Sequence, residues 1–219
     1  MTYVIGAGTS FNVVLNHEDL SDHADWSQDK DSLLSNIREE FEGWDPVYAQ
    51  SFRYFSLYAS DIENRLSKII GMIDKTLKWP LYSSSIMHSW FSGKLVVLGD
   101  AAYTMIPYLS QGAAIAVEDG VAIARCLQKV STKDEISLAL SIFEKVRIRR
   151  ASQMQEASLL NSKLWHFPDG PIQQARDEAM RPEVEGRPFS HSPNQWSDPA
   201  TQMWCYGYGF VEGLWFNTR

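Results

Sequence analysis

Cysteine is scarce in this chain: Cys126 and Cys205 are the only two among 219 residues. They could form one disulfide at most. The opening residues, MTYVIGAGTSFNVVLNHED, have neither the basic start nor the long apolar core of a secretory leader. Both cysteines therefore read as free thiols of a cytoplasmic or other reducing intracellular compartment. Basic residues are also short. Twenty Lys and Arg stand against 27 Asp and Glu, for a net charge of −7. That balance argues against a nucleic-acid partner, which needs a basic face. No apolar run approaches the roughly 18–20 residues that cross a bilayer, so no transmembrane segment is expected. The five histidines, His17, His23, His88, His166 and His191, show no metal-ligand spacing with each other or with cysteine. Internal repeats and low-complexity tracts are missing as well. What remains is a globular composition, 44% hydrophobic and 21% charged, in a chain long enough for one domain or two small ones.

Residues 2–5 and 11–15 are β-prone pieces around the glycine turn Gly6-Ala7-Gly8. A dinucleotide fingerprint needs a strand, G-x-G-x-x-G and then a helix. Here Thr9-Ser10-Phe11 follows Gly8 without a third glycine, and the next residues are strand-like. A hairpin is expected, with no nucleotide-binding helix after it. Residues 33–41 have helical spacing, Asp45-Pro46 resembles a helix start, and residues 65–77 carry apolar residues at helical intervals. Pro80 bars helix from an extended segment at 79–87. Residues 94–98 (KLVVL) lie between glycines and read as a fully buried strand. A helix rich in small residues is expected over 113–130. A capping box at Thr132-x-x-Glu135 precedes a long helix to about Leu164. Residues 168–199 are rich in Pro, Gly, Ser and Asn and read as irregular.

The stretch 93–127, GKLVVLGDAAYTMIPYLSQGAAIAVEDGVAIARCL, carries the most chemistry. A strand ends in Gly99-Asp100, a loop contains Pro107, and Gln111-Gly112-Ala113-Ala114 opens a helix. An acid at the end of a strand can accept hydrogen bonds from ligand hydroxyls. A helix start made of Gly and Ala lets backbone N–H groups approach a ligand and favours negative charge there. The small side chains of Ala113, Ala114 and Ala116 leave room for a flat ring system.

This stretch resembles the second FAD motif of class A flavoprotein aromatic hydroxylases, especially salicylate-hydroxylase-like monooxygenases. Gly99, Asp100, Ala101, Ala102, Pro107, Gln111, Gly112, Ala113, Glu118 and Asp119 fall at the motif's positions. The resemblance implies an α/β (mixed α+β) fold: a partial FAD and substrate domain with a long C-terminal helix. It implies FAD as cofactor, NAD(P)H and O2 as co-substrates and a small aromatic substrate. Asp100 would hold the ribityl hydroxyls. The helix start at Gln111, Gly112, Ala113 and Ala114 would face the pyrimidine end of the isoalloxazine, with Gly99 and Pro107 completing the cofactor-binding set. The expected division is 1–90, part of the substrate region; 91–130, the Gly-Asp half of the FAD site; 131–167, the long helix; and 168–219, an irregular aromatic tail.

The pattern departs from the family in three places. The glycine fingerprint that cradles the pyrophosphate is missing, so this chain is expected to bind FAD weakly or not at all. Tyr103 stands at the family's histidine and Ala114 at its asparagine. Residues 47–64 have no family counterpart and read either as a surface insertion or as translated intron. Two rival readings stay open: a flavin-free protein that binds or isomerises a small aromatic or polyketide-like ligand, and an inactive fragment. Elsewhere, Cys126 reads as core. Glu118 and Asp119, neighbours on a helix, point in different directions and suit surface ion pairing. Arg147, Arg149 and Arg150 read as a solvated face answering Glu144 and Glu156. The tail aromatics Trp196, Trp204, Tyr206, Tyr208, Phe210, Trp215 and Phe216 read as the cover of a core edge.

Overall fold

The computed structural model describes residues 2–14, 16, 72–73 and 80–209. The chain divides into two compact units, Met1–Pro80 and Leu81–Arg219. In the first, β1 (Thr2–Ile5) pairs antiparallel with β2 (Ser10–Val13), with Thr2 opposite Val13 and Ile5 opposite Ser10. The link is a single 3-10 turn, Gly6–Gly8, whose three residues all have positive φ, 59°, 53° and 94°. Two glycines make that conformation accessible, and Ala7 carries the strain of a left-handed L-residue. Thr9 closes the turn with both its hydroxyl and its N–H on the Gly6 carbonyl, at 2.7 and 3.2 Å. The hairpin expected from the sequence is therefore present. A strand follows Gly8, so this turn offers no helix N-terminus to a pyrophosphate. The expectations for 33–41, Asp45-Pro46, 47–64 and, apart from Met72 and Ile73, 65–77 lie outside the described residues.

The second unit opens on a non-helical segment that is tied down by side chains. Ser84 N–H donates to the Thr104 carbonyl at 3.1 Å, and Gln155 Nε2 donates to the carbonyls of Ser84 and Thr104 at 2.7 and 3.0 Å. Trp90 is buried, with its ring 5.3 Å from Tyr103 and 6.0 Å from Phe143. The Glu144 carboxylate accepts from the Trp90 N–H and from the Ser89 hydroxyl. A small hairpin follows, β3 (Phe91–Ser92) with β4 (Leu95–Val96), turning at Gly93 with φ 60°. This corrects the expectation of a fully buried strand over 94–98. Strand geometry covers only Leu95 and Val96, and Leu95 is 70% exposed. Among the described residues β4 pairs on one edge only, and a strand needs cover on both faces to be buried.

Helices supply the rest. They are α1 (Asp100–Tyr103), α2 (Gly112–Leu127), α3 (Ile136–Trp165), α4 (Pro171–Val184) and α5 (Pro199–Tyr206). The capping box forms: Glu135 Oε2 accepts from the N–H groups of Ser131 and Thr132 at 2.7 and 3.4 Å, which holds its carboxyl below the usual range. The 30-residue α3 then lies along α2. Ile115 and Ala122 of α2 meet Phe143, Ala151 and Met154 of α3, with Trp90, Ala102, Tyr103, Leu109 and Cys205 closing the core. The architecture is mixed, mostly helical with small antiparallel sheets.

The tail is not irregular, which corrects a second expectation. Pro and Gly dominate its flanks, yet Pro171 sits at the first helical position, where its missing N–H costs nothing, and IQQARDEAM behind it is helix-favouring. Asp198 caps α5. Its carboxylate accepts from the Thr201 N–H and hydroxyl, both at 2.9 Å, and from the Ser192 N–H at 3.0 Å. The Thr201 N–H bond leads in holding Asp198 below the usual carboxylate range; partial burial opposes it and the Ser192 N–H adds to it. A carboxyl depressed in the fold stabilises above its unfolded value and loses that contribution as pH falls through the folded one. Asp198→Ala is expected to cost about 1–2 kcal/mol. Acidification below about pH 4 should shrink the difference between the two proteins. Urea unfolding at pH 7 and pH 3 checks this, and an equal gap at both pH values would contradict it.

Candidate functional site

Gly99 and Asp100 join β4 to α2 through α1. Gly99 is buried with φ 61° and ψ −144°, and a Cβ built on it would lie 3.7 Å from the Ala116 methyl. That distance is ordinary contact with the second turn of α2, so it is the positive φ that favours glycine here. Its carbonyl accepts from the N–H groups of Ala102 and Tyr103 at 2.9 and 3.1 Å, starting the short helix. Asp100, at the first position of that helix, is exposed. Pro107 begins a 3-10 turn through Leu109, and Ser110, with φ 51°, reverses the chain into Gln111. Gln111 is buried at the N-cap of α2 but does not cap it with its side chain. Ala113 and Ala114 are exposed, and no acidic side chain occupies the first turn. The seven residues singled out in the sequence are thus brought onto one turn-and-helix-start. They present a carboxylate, small side chains and a helix N-terminus with no side-chain cap.

Behind this surface lies a buried ionic cluster. Arg147, on α3, is fully buried. Its Nε donates to Asp119 Oδ1 at 2.7 Å, and its Nη2 reaches Glu118 Oε2 at 2.7 Å and the Ile115 carbonyl at 3.4 Å. Arg150, one turn on, takes Glu118 with both Nε and Nη2, at 2.7 and 2.8 Å. The Tyr103 hydroxyl donates to Asp119 Oδ2. Burial first, and then the Asp119 carboxylate, raise the Tyr103 phenol well above its ordinary value. Burial alone would push the Arg147 guanidinium down; Asp119 and Glu118 more than reverse it, so it is held above its usual value. The cluster fixes α1 and α2 to α3 from within. This overturns the solvated-face reading of Arg147 and Arg150 and the divergent-neighbour reading of Glu118 and Asp119. Only Arg149 of the three arginines is exposed.

The tail closes over the same arginines. Arg150 Nη1 and Nη2 donate to the carbonyls of Trp204 and Cys205, both at 3.1 Å, and its guanidinium lies 4.8 Å from the Trp204 ring and 3.8 Å from that of Tyr208. Gln111 Nε2 donates to the Tyr206 hydroxyl at 3.1 Å. Trp196 Nε1 donates to the Tyr108 carbonyl at 2.9 Å. Trp196 and Tyr208 are half-buried whereas Trp204 and Tyr206 are exposed, so the expected cover of a core edge forms only in part; Phe210, Trp215 and Phe216 lie outside the described residues. Burial raises both thiols, Cys126 and Cys205, so neither is a poised nucleophile. At the far end of α3 an open cavity of about 510 Å³ is lined by Leu81, Ile106, Tyr108, Ser162, Lys163, His166 and Phe167, with Tyr108 Oη 2.7 Å from His166 Nε2.

A protein family described as "FAD binding domain" matches residues 64–158, a span that contains the whole Gly99–Ala114 surface. The chain is 29% identical over 214 residues to the FAD-dependent monooxygenase OpS4 of Beauveria bassiana, covering 96% of this chain and 45% of that protein. It is 34% identical over 137 residues to a 6-hydroxynicotinate 3-monooxygenase of Pseudomonas fluorescens, covering 61% and 30%. It is 33% identical over 144 residues to the 3-amino-4-hydroxybenzoate 2-monooxygenase PtnB3 of Streptomyces platensis, covering 63% and 35%. The matched span and these relatives support a class A flavoprotein hydroxylase. It spans less than half the length of these flavoprotein relatives.

The residues present fit the ring side of a flavin in kind. A carboxylate able to accept from hydroxyls, a helix start without a side-chain cap and a run of small residues follow one another over 99–114, with Asp100, Ala113 and Ala114 exposed. The Gly6–Gly8 turn does not fit the phosphate side, since a strand follows it. The sequence pattern suggested solvated Arg147 and Arg150 and gave Tyr206 no partner, whereas the structure ties the arginines to Asp119 and Glu118 of α2 and Tyr206 to Gln111. A signal for the arginines was available. Phe143, Arg147, Arg150 and Met154 share one helical stripe, so Arg147 and Arg150 sit on the apolar face and need partners there. No local pattern marks Tyr206.

Proposed function

We propose that this chain supplies the ring-side half of the flavin site in an FAD-dependent monooxygenase that hydroxylates a small aromatic substrate, with NAD(P)H as reductant. One observation carries the reading: exposed Asp100 follows a positive-φ glycine in contact with α2, whose start has no side-chain cap and runs Gly112-Ala113-Ala114 with both alanines exposed. In this reading the Asp100 carboxylate accepts from the ribityl hydroxyls. The N–H groups of Gly112, Ala113 and Ala114 face the pyrimidine edge, where the helix dipole favours negative charge. Their small side chains let a planar ring approach the backbone. The Arg147 cluster keeps these donors in place, which is what makes fixed dipoles effective in catalysis. A flavin held by these residues would supply the redox chemistry between NAD(P)H and O2. Two relatives are named for hydroxynicotinate and aminohydroxybenzoate, so a hydroxylated or aminated ring acid is the substrate class we assign.

Titration of the 15N-labelled chain with FMN at up to millimolar concentration tests the half-site. FMN carries the ring and ribityl chain without the adenosine half. Amide resonances of Gly99–Asp100 and Gly112–Ala114 should shift. Asp100→Ala should weaken binding about 10- to 100-fold, the loss of one or more charge-assisted hydrogen bonds of about 1.5–3 kcal/mol each. Unperturbed amides from 99 to 114 at saturating FMN sink the reading.

A further inference from the structure

Tyr206 is the last residue of α5, and its position is imposed from both sides. Arg150 grips the two preceding carbonyls, of Trp204 and Cys205, and stacks under the Tyr208 ring two residues later. Arg150 is itself held by Glu118 on α2. The tail is therefore anchored to the helix whose start forms the candidate site. From that anchor the Tyr206 hydroxyl reaches Gln111, the residue at the N-cap of α2, and accepts from its Nε2 at 3.1 Å. Gln111 is 7% exposed, whereas Tyr206 is 61% exposed. A buried amide thus holds the tip of an otherwise open aromatic side chain beside the exposed Ala113 and Ala114. A phenol that accepts one hydrogen bond still has its own proton to donate. Among the described residues no acceptor takes it.

We infer that Tyr206 is a flavin-binding residue contributed by the C-terminal tail, held by Gln111 and donating its phenolic proton to an acceptor on the pyrimidine edge of the ring. This rests on the half-site reading above and extends it to a segment that the Gly-Asp motif does not contain. The chemistry is complementary. The pyrimidine edge is rich in carbonyl and ring-nitrogen acceptors, and the Gln111–Tyr206 pair ends in a donor. Polarisation along the pair, amide to phenol to ring, strengthens the last bond. It also makes the tail part of the site, so flavin occupancy and tail docking support each other.

FMN titration of the full chain, followed by 15N spectra, tests the inference with Tyr206→Phe beside wild type and Asp100→Ala. Tyr206→Phe keeps the ring and removes only the hydroxyl. The expected result is FMN affinity about 2- to 10-fold weaker in Tyr206→Phe, the size of one neutral hydrogen bond. The Gln111 side-chain amide resonance should move on FMN addition in wild type and stay still in the variant. The unfolding midpoint should not change, because the side chain is mostly exposed. Unchanged FMN affinity in Tyr206→Phe, while Asp100→Ala loses it, overturns the inference and leaves the half-site reading standing. A drop in affinity matched by a lowered unfolding midpoint also overturns it, since the hydroxyl then acts only on the fold. Failure of wild type to respond anywhere from 99 to 114 removes both.

Discussion

Arg147→Ala is expected to cost about 3–5 kcal/mol, a large share of the about 5–15 kcal/mol that holds a domain of this size together. The argument begins with burial. Arg147 and Asp119 are both fully buried, 2.7 Å apart, and Glu118 is the shared partner of Arg147 and Arg150. Removing the guanidinium strands the Asp119 carboxylate where water cannot reach it, with the Tyr103 hydroxyl as its remaining donor among these partners. An uncompensated buried charge is among the costliest defects a core can contain. The core around it offers no polar rescue: Phe143, Ala151, Met154 and Ile115 are fully buried and apolar. Urea denaturation followed by circular dichroism gives the number. Because Arg147→Ala itself could fail to fold, the double variant Arg147→Met with Asp119→Leu provides the second measurement. It removes both charges and should recover much of the stability lost in Arg147→Met alone, since a buried pair is often replaceable by apolar residues of similar volume. An Arg147→Ala protein within about 1 kcal/mol of wild type would place the cluster in the class of solvent-screened surface pairs and refute this account.

FAD is expected to bind this 219-residue chain no more tightly than FMN does, and ADP should not compete. Tight FAD binding needs two cradles. One holds the pyrophosphate at a helix N-terminus behind a glycine fingerprint. Here the Gly6–Gly8 turn leads into β2, so its positive-φ geometry serves a hairpin. The other is the half-site proposed above at Gly99–Asp100 and Gln111–Ala114. Several charge-assisted phosphate bonds of about 1.5–3 kcal/mol each are then missing, which removes several decades of affinity. Isothermal titration with FAD, FMN and ADP in parallel measures this. A submicromolar FAD dissociation constant, or competition by ADP, contradicts it.

These two expectations concern different layers of the same surface. The ionic cluster is a matter of stability and the cradle a matter of ligand affinity. They meet at α2: its first turn carries the proposed donors, and Glu118 and Asp119 in its second and third turns carry the clasp. A loss of stability at Arg147 is therefore expected to loosen the flavin site as well, whereas loss of Asp100 should weaken flavin without touching stability.

Where local rules sufficed, the sequence was enough by itself. The hairpin over 2–13 follows from alternation around two glycines with no third. The start of α3 follows from Thr132 and Glu135, and α2 from small and apolar residues at helical spacing. The Gly99–Asp100 and Gln111–Ala114 surface follows because a turn and the helix start behind it lie within sixteen residues of one another. Those features depend on neighbours in the chain, and neighbours are what a sequence displays. The tertiary structure alone decided the rest. Among the described residues β4 pairs on one edge only and Leu95 is exposed, and such partners come from elsewhere in the chain. Arg147 and Arg150 are buried because α3 lays its apolar stripe on α2 with Glu118 and Asp119 at the matching height, a pairing across 28–32 residues. Tyr206 reaches Gln111 across 95 residues because Arg150 ties the last turn of α5 to the same pair of helices. Charge and aromatic composition leave such partners open; the free energy of a buried charge depends on which atoms stand within a few ångströms of it, and packing alone sets that distance.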